Sequence, residues 1–393
     1  MDSRGVRFVS DTERRARLAR RHGFAERLEG LHLLAERLAG IHSTDPVSVF
    51  LSAASRRSAG TVEEVEEALY ESRSCLRMLG MRRTLFVEPV GLVPTVQRAY
   101  TDGFVARERK RFAGWLERCD IAADGQMHID RMTDLTLTRL TEVGEASTRE
   151  LTMSIPELDR RFVPPVGGQT GSMSVGSRVV LLMTAAGLIA RTRPLGTWIS
   201  SQYRYAPMQH WLGEPIGEVD PATARTLLGR AWLSAFGPGT VTDLQWWTGW
   251  TLGQTRSALA AVDAVEVDLE GGEGFLLADD LEPVDPVEPW AALLPSLDAT
   301  PMGWKERAWY LGDHIPRLFD RNGNVGPTVW WNGRVVGGWA QRNDGDLVVE
   351  YLEDVPAECR RLVDGEVERL MAFVGPTRFT PRFRTPLEQS LTA

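Results

Sequence analysis

The feature that most constrains this chain is a short signal written three times. In AGTVEEVEEAL (59–69), GEASTRELTMSI (144–155) and GPGTVTDLQWWTGW (237–250) a glycine precedes Ser or Thr, and an acid follows three residues later: Thr61 with Glu64, Ser147 with Glu150, Thr240 with Asp243. A hydroxyl and a carboxylate so spaced satisfy the free backbone N–H groups at a helix start, forming a capping box. The third copy is the weaker, because Asp is shorter than Glu. An amphipathic stretch lies ahead of each signal, and a second helical stretch followed by a strand or hairpin lies after it. The hairpin is plainest in AVEVDL and GFLLA across a Gly-Gly turn (264–278). The corresponding segments are GLIARTRPLGTWISSQYRYAPM (187–208) in the second copy and MRRTLFVEP (81–89) in the first.

Helix, glycine turn, helix and hairpin is the order of a winged helix. Three copies predict tandem winged helices; the alternative is an unrelated α-rich fold with good caps. From Pro286 the texture changes: 327–355 alternates β-branched and aromatic residues with the turn pairs Asn332-Gly333, Gly337-Gly338 and Asp344-Gly345. The expected class is α+β, with three tandem winged-helix units and a C-terminal small β-barrel or meander. The boundaries predicted are an N-terminal extension (1–28), a first unit with a helical insert (29–125), a second (126–212), a third (213–285) and the β-domain (286–393). The last contains a helix over 356–373 and an Arg-rich tail, RFTPRFRTP, expected to be a disordered end.

At 393 residues the chain exceeds one core, and 43% hydrophobic with 25% charged residues is the balance of an ordinary globular protein. No run reaches the roughly 18 apolar residues of a membrane span. The charged N-terminus lacks a signal-peptide core, so a cytoplasmic, nucleoid-associated protein is expected. Cys75, Cys119 and Cys359 lie far apart and give no metal-ligand spacing with the histidines, so neither metal nor cofactor is expected. A net charge of -8 argues against coating nucleic acid non-specifically, yet leaves room for arginine gathered on one face. Nothing resembles a dimerisation helix, so a monomer with no obligate protein partner is expected.

The turn GIHSTDPV (40–47) carries the chemistry. Gly40 ends one helix and Asp45-Pro46 opens the next, with His42, Ser43 and Thr44 between. Read structurally, Asp45 is an N-cap with Pro at the first helical position, His42 a turn histidine bonding a carbonyl, and Ser43-Thr44 an ordinary turn. The tandem winged helices, LLPSLDATPMGWKERAWYL (293–311) and PTVWWNGRVVGGW (327–339) together resemble the AlkZ/YcaQ-like bacterial DNA glycosylases, in the order of their elements rather than in one motif. The resemblance implies a double-stranded DNA partner. It also implies monofunctional hydrolysis of the N-glycosidic bond of alkylated bases, including bulky adducts and crosslinks. The family's signature, Gln-x-Gln/Asp followed by Asp-Pro, falls on His42-Ser43-Thr44-Asp45-Pro46. Here the scaffold carries over but the pair that positions water does not. A non-catalytic regulator or lesion sensor, and a protein-interaction scaffold, are the competing readings.

Base loss builds positive charge on the deoxyribose, so a site must stabilise that charge and hold water on the opposite face. Neutral His42 could accept the water's proton, Thr44 could hold the water, and Asp45 could offset the charge. Lys110 and Lys305 are the only lysines, and neither lies near the turn in sequence, so Schiff-base strand cleavage is not expected. The DNA-binding candidates are Arg56, Arg57, Arg82 and Arg83 near the first unit and Arg191, Arg193 and Arg204 on the second wing. RERKRF (107–112) reads as a solvated helix face. Trp246, Trp247 and Trp250 read as packing residues, and Asp298 and Trp304 as candidates to line the cleft, with a structural hydrogen bond the equal alternative for Asp298.

Overall fold

The computed structural model describes residues 6–56, 60–165 and 171–393. They form two compact units: one from the chain up to Cys75 with Phe86–Pro89 and Arg225–Ala393, the other from Leu76–Leu85 and Val90–Ala224. Helices and small, mainly antiparallel sheets make the chain α+β.

All three capping boxes form. The hydroxyls of Thr61 and Ser147 accept from the N–H groups of Glu64 and Glu150, and each glutamate accepts the N–H of its cap residue in return. The third box gains from its shorter acid. Asp243 Oδ2 accepts the Thr240 N–H at 3.0 Å, while Oδ1 accepts the N–H groups of Lys305 and Glu306 at 2.8 and 2.9 Å. One buried carboxylate thus caps a helix and pins the segment that follows the Trp304 turn.

In the second unit the helices Asp102–Arg118, Gly125–Val143, Thr148–Ser154 and Val175–Ala185 surround a core that includes Phe112, Leu116, Ile129, Leu140 and Val179. A three-stranded sheet places Arg204–Pro207 between Ala146–Ser147 and Ile189–Arg191.

In the first unit the residues expected as an N-terminal extension join the fold. Arg7–Val9 pairs in parallel with Val265–Leu269, which pairs with Gly272–Leu276 as the hairpin pattern predicts. Arg17 and Arg21, on the helix Asp11–Arg21, both form ion pairs with Asp280. The C-terminal sheet is a four-stranded antiparallel meander: Ala291–Leu294, Thr328–Trp331, Arg334–Gln341, Leu347–Tyr351. Asn332 and Gly333 make its tight turn with φ of 48° and 80°, the double left-handed geometry for which Asn-Gly is suited. The helix Ala357–Val374 follows. The tail corrects the expectation of a disordered end. Gln341 Oε1 accepts the Phe379 N–H, Arg384 pairs with Glu388, and Pro386–Leu391 is helical.

The helix Pro46–Arg56 is held by polar groups on a buried face. Ser48, Ser52 and Ser55, spaced i, i+4, i+7, donate to the Ser296 carbonyl, the Asp298 carboxylate and the Leu293 carbonyl at 2.6, 2.6 and 2.5 Å. Arg56 ends the row with a two-pronged ion pair to Asp298, 2.5 and 2.8 Å, both side chains 0% exposed. Burial alone would raise the Asp298 pKa, but the adjacent Arg56 guanidinium, with the hydrogen bonds from Ser52 and the Thr300 N–H, holds the carboxyl below its ordinary value. Arg56 also donates to the Thr300 hydroxyl at 2.7 Å, and Thr300 stands 2.9 Å from His22 Nδ1. His22 Nε2 faces the Ala235 carbonyl at 2.9 Å; a carbonyl only accepts, so Nε2 carries the proton and Nδ1 accepts from Thr300. Burial, with the Arg56 charge adding, lowers the His22 pKa to about 3.

This network corrects two expectations. Arg56 does not contact DNA, because its guanidinium is fully buried and held by Asp298, Thr300 and the Ser52 carbonyl, and Asp298 lines no cleft, because it is the buried counter-ion. Trp304 is likewise packed away, its Nε1 donating to the Phe236 carbonyl at 2.9 Å and its ring edge-on to Phe236 and Trp309. Trp247 and Trp250 are buried as expected, and Trp246 carries the Arg307 guanidinium 4.7 Å from its ring centre.

Removing one partner of a buried ion pair strands the other charge. Asp298→Ala should therefore cost about 3–5 kcal/mol in chemical denaturation, whereas Thr61→Ala, at an exposed cap, should cost about 1 kcal/mol. Equal losses would contradict the central place given to the Arg56–Asp298 pair.

Candidate active site

The turn is set between two short-range constraints. Ile41–His42 pairs antiparallel with Leu85–Pro89, Ile41 opposite Val87 and His42 opposite Phe86. Gly40, just ahead, has φ +101°, and a Cβ there would stand 2.8 Å from Glu88 Cδ, so only glycine fits on both counts. On the far side, Asp45 Oδ1 accepts the Val47 N–H at 3.3 Å at the start of Pro46–Arg56, and Oδ2 accepts the Arg382 N–H at 2.9 Å. The Arg382 guanidinium reaches the Thr44 carbonyl at 3.3 Å. The tail therefore returns to the turn.

The side chains differ in access. His42 is 3% exposed, its ring 5.2 Å from that of Phe86 and tilted by 58°. Ser43 and Asp45 are buried. Thr44 is half-buried and Arg382 exposed, so solvent meets the turn at these two. Burial raises the Asp45 pKa, with the two backbone N–H groups pulling the other way. One oxygen caps the helix start and the other ties the tail to the turn, so the capping reading describes Asp45.

Glu88 was not anticipated. It sits on the strand Leu85–Pro89, fully buried, and neither carboxyl oxygen has a hydrogen-bond partner among the described residues. Burial alone raises its pKa well above the ordinary carboxylate value. Nearby, burial pushes the Cys75 thiol up to about 12, and the Glu88 charge adds to that shift.

Of the arginines expected at DNA, Arg57 lies outside the described residues. Arg191 is buried, with its pKa lowered by that burial, and donates to the Thr184 hydroxyl; Arg204 is paired with Glu145 and Glu150. Neither presents an open guanidinium, which corrects both assignments. Arg82 is half-buried. Arg83 and Arg193 are exposed. Arg82 and Arg83 both adopt left-handed backbone, φ 54° and 63°, a geometry that costs non-glycine residues on the order of 1 kcal/mol or more each. Tyr100 Oη accepts the Arg83 N–H at 3.0 Å, and the guanidinium lies over the Phe104 ring.

The sequence signal for Arg382 was its basic-aromatic tail, but nothing local linked position 382 to 45. For Glu88 the signal was an acid inside an apolar strand.

A family model described as "DNA glycosylase AlkZ-like" matches residues 35–373. The chain belongs to the AlkZ-like DNA glycosylase family. The fold agrees: Streptomyces sahachiroi DNA glycosylase AlkZ, 20% identical, superposes with a TM-score of 0.73 over 95% of this chain and 99% of its own. No curated protein matches by sequence. Among the described residues no helix is long and apolar enough to cross a membrane. In this AlkZ-like chain the turn thus carries the His42 imidazole on a two-residue strand and the half-buried Thr44 just after it.

His22 and Glu88 set opposing pH trends. His22 is neutral when folded but takes a proton when unfolded below about pH 6.5, so it contributes stability that is lost as pH falls from 6.5 toward 3. Glu88 keeps its proton when folded but loses it when unfolded above about pH 4.5, so folding is weakened as pH rises above 4.5. Between these pH values the two slopes cancel. Above 6.5 the His22 slope ends, and the Glu88 slope, up to about 1.4 kcal/mol per pH unit, continues while the folded carboxyl keeps its proton. Denaturant unfolding at pH 6.5 and 8 should show wild type weakening and Glu88→Gln holding level.

Proposed function

We propose that this chain is a monofunctional DNA glycosylase that hydrolyses the N-glycosidic bond of alkylated or bulky-adduct bases in double-stranded DNA, with the water held at the His42–Thr44 turn. The observation that carries this reading is the family match over residues 35–373, and we read the family's signature on the turn within it that holds a proton acceptor and a hydroxyl. The backbone around them is held on one side by a strand pair and on the other by the Asp45 cap.

Thr44 is the member of the turn open to solvent, so its hydroxyl is the group that meets the incoming water. His42 behind it takes the proton as the water adds to C1′; the base departs with the electron pair of the broken C–N bond and is protonated by solvent. Arg382, exposed and anchored to the turn through its own backbone, suits a phosphate beside the lesion, because a guanidinium offers two parallel donors to phosphate oxygens. Arg83 and Arg193 are the remaining exposed backbone contacts of the predicted set. The repeated cap–helix–hairpin order is read as tandem winged helices presenting these residues, in a monomer that needs no cofactor or metal. The extent of burial of His42 favours a second reading, a DNA-binding lesion sensor without catalysis.

Base release from DNA alkylated by several agents separates the two. Wild type should leave abasic sites, His42→Ala should lose about 100-fold or more of the single-turnover rate, and Thr44→Ala should lose less. Tight binding with no release from any substrate would establish the sensor. Borohydride should trap no covalent adduct. Arg382→Ala should weaken DNA binding and lower the salt dependence by about one counter-ion.

A further inference from the structure

The most expensive feature near the turn is Glu88. A buried carboxyl with no hydrogen-bond partner among the described residues costs on the order of several kcal/mol even when uncharged, and a strand position beside Phe86 and Val87 would be served by an apolar residue. Its surroundings say what it touches. Continuing the register of Ile41 with Val87 and His42 with Phe86 puts Gly40 opposite Glu88, and the carboxyl fills the space a Cβ of residue 40 would need. Side chains directly opposed on an antiparallel ribbon share a face, and alternate residues along each strand share it too. Glu88 and His42 therefore lie on one face as diagonal neighbours, with Cα atoms about 7 Å apart by the general geometry of such ribbons.

We propose that Glu88 is a positioning residue for the turn: its uncharged carboxyl, seated against Gly40 on His42's face of the ribbon, sets where the imidazole stands. The idea rests on the catalytic reading of the turn. The ionisable groups facing Glu88 are the Cys75 thiol, which stays uncharged to about pH 12, and the imidazole of His42. The cation on the strand Cys75–Leu79, Arg77, turns its guanidinium over the Tyr203 ring, and burial is the sole cause of the Glu88 shift, so no cation among the described residues holds a Glu88 carboxylate. Loss of the Glu88 proton at alkaline pH thus places an unpartnered charge against the Gly40 backbone and disturbs the strand that carries His42. Base release is then bounded on the acid side by protonation of the base that accepts the water's proton, and on the alkaline side by Glu88.

The test compares wild type, Glu88→Gln, Glu88→Ala and His42→Ala in single-turnover base release across pH. It is paired with NMR titration of the His42 imidazole, assigned by the signal missing in His42→Ala. The glutamine keeps the shape of the neutral acid and cannot ionise. It should keep the neutral-pH rate to within roughly threefold, against a loss of roughly tenfold or more in the alanine variant. It should also lack the alkaline fall, and lack the second, alkaline inflection that wild-type His42 shows. An unchanged alkaline fall and inflection in Glu88→Gln, or a drop of that variant to the level of His42→Ala, overturns the proposal. If wild type releases no base at all, the glycosylase reading fails, and the His42 titration in wild type and Glu88→Gln still decides the role of Glu88. Glu88→Gln also serves where Glu88→Ala fails to fold.

Discussion

The ion pair between Arg56 and Asp298 holds the helix Pro46–Arg56 against the segment Leu293–Thr300, and the turn at the head of that helix goes where the helix goes. Both charges are removed from water, a loss that mutual attraction repays only when geometry is good and remaining donors are met. Here all but the Arg56 Nε–H find partners among the described residues: Ser52 and the Thr300 N–H complete the carboxylate, and the Ser52 carbonyl and the Thr300 hydroxyl take further guanidinium donors. Such a network stabilises less than its Coulomb energy suggests, but it tolerates one arrangement only. A greasy face on this helix could slide by a turn; a row of serines ending in an arginine cannot. The register of the helix, and so the place of residues 42–45, is specified by hydrogen bonds rather than by volume.

The turn itself follows a different logic from its supports. Asp45 is engaged from both sides, Ser43 is internal and His42 is nearly covered, which leaves a small polar window at Thr44 with Arg382 beside it. The buried Glu88 behind it is consistent with a turn whose alignment, rather than whose charge, is the quantity conserved by the packing.

Legibility fell along a clear line. The three caps, the hairpin at 265–276, the meander with its Asn332-Gly333 turn and the break at Gly40 all formed as read, because each is decided within a few residues. The arginines read less well. Arg56 looks like its neighbours in sequence, and only the presence of Asp298, far along the chain, makes it a core residue; Arg204 is neutralised by Glu145 and Glu150 in the same way. The tail 376–385, basic and proline-punctuated, has the composition of a loose end, yet contacts to Gln341, Asp45 and Glu388 order it.

What the sequence determined alone was local: helix starts, tight turns, the α+β class and the identity of the side chains in the signature turn. These depend on backbone donors and acceptors within one or two turns of chain, whose partners are fixed by spacing. What only the tertiary structure decided was which charges remain available. Whether an arginine meets solvent or a carboxylate depends on segments hundreds of residues away, and the free energy of a charge depends on its surroundings far more steeply than that of a methyl group. That is why the turn could be found from its residues, while Arg382 and Glu88, its nearest ionisable companions from other segments, could not.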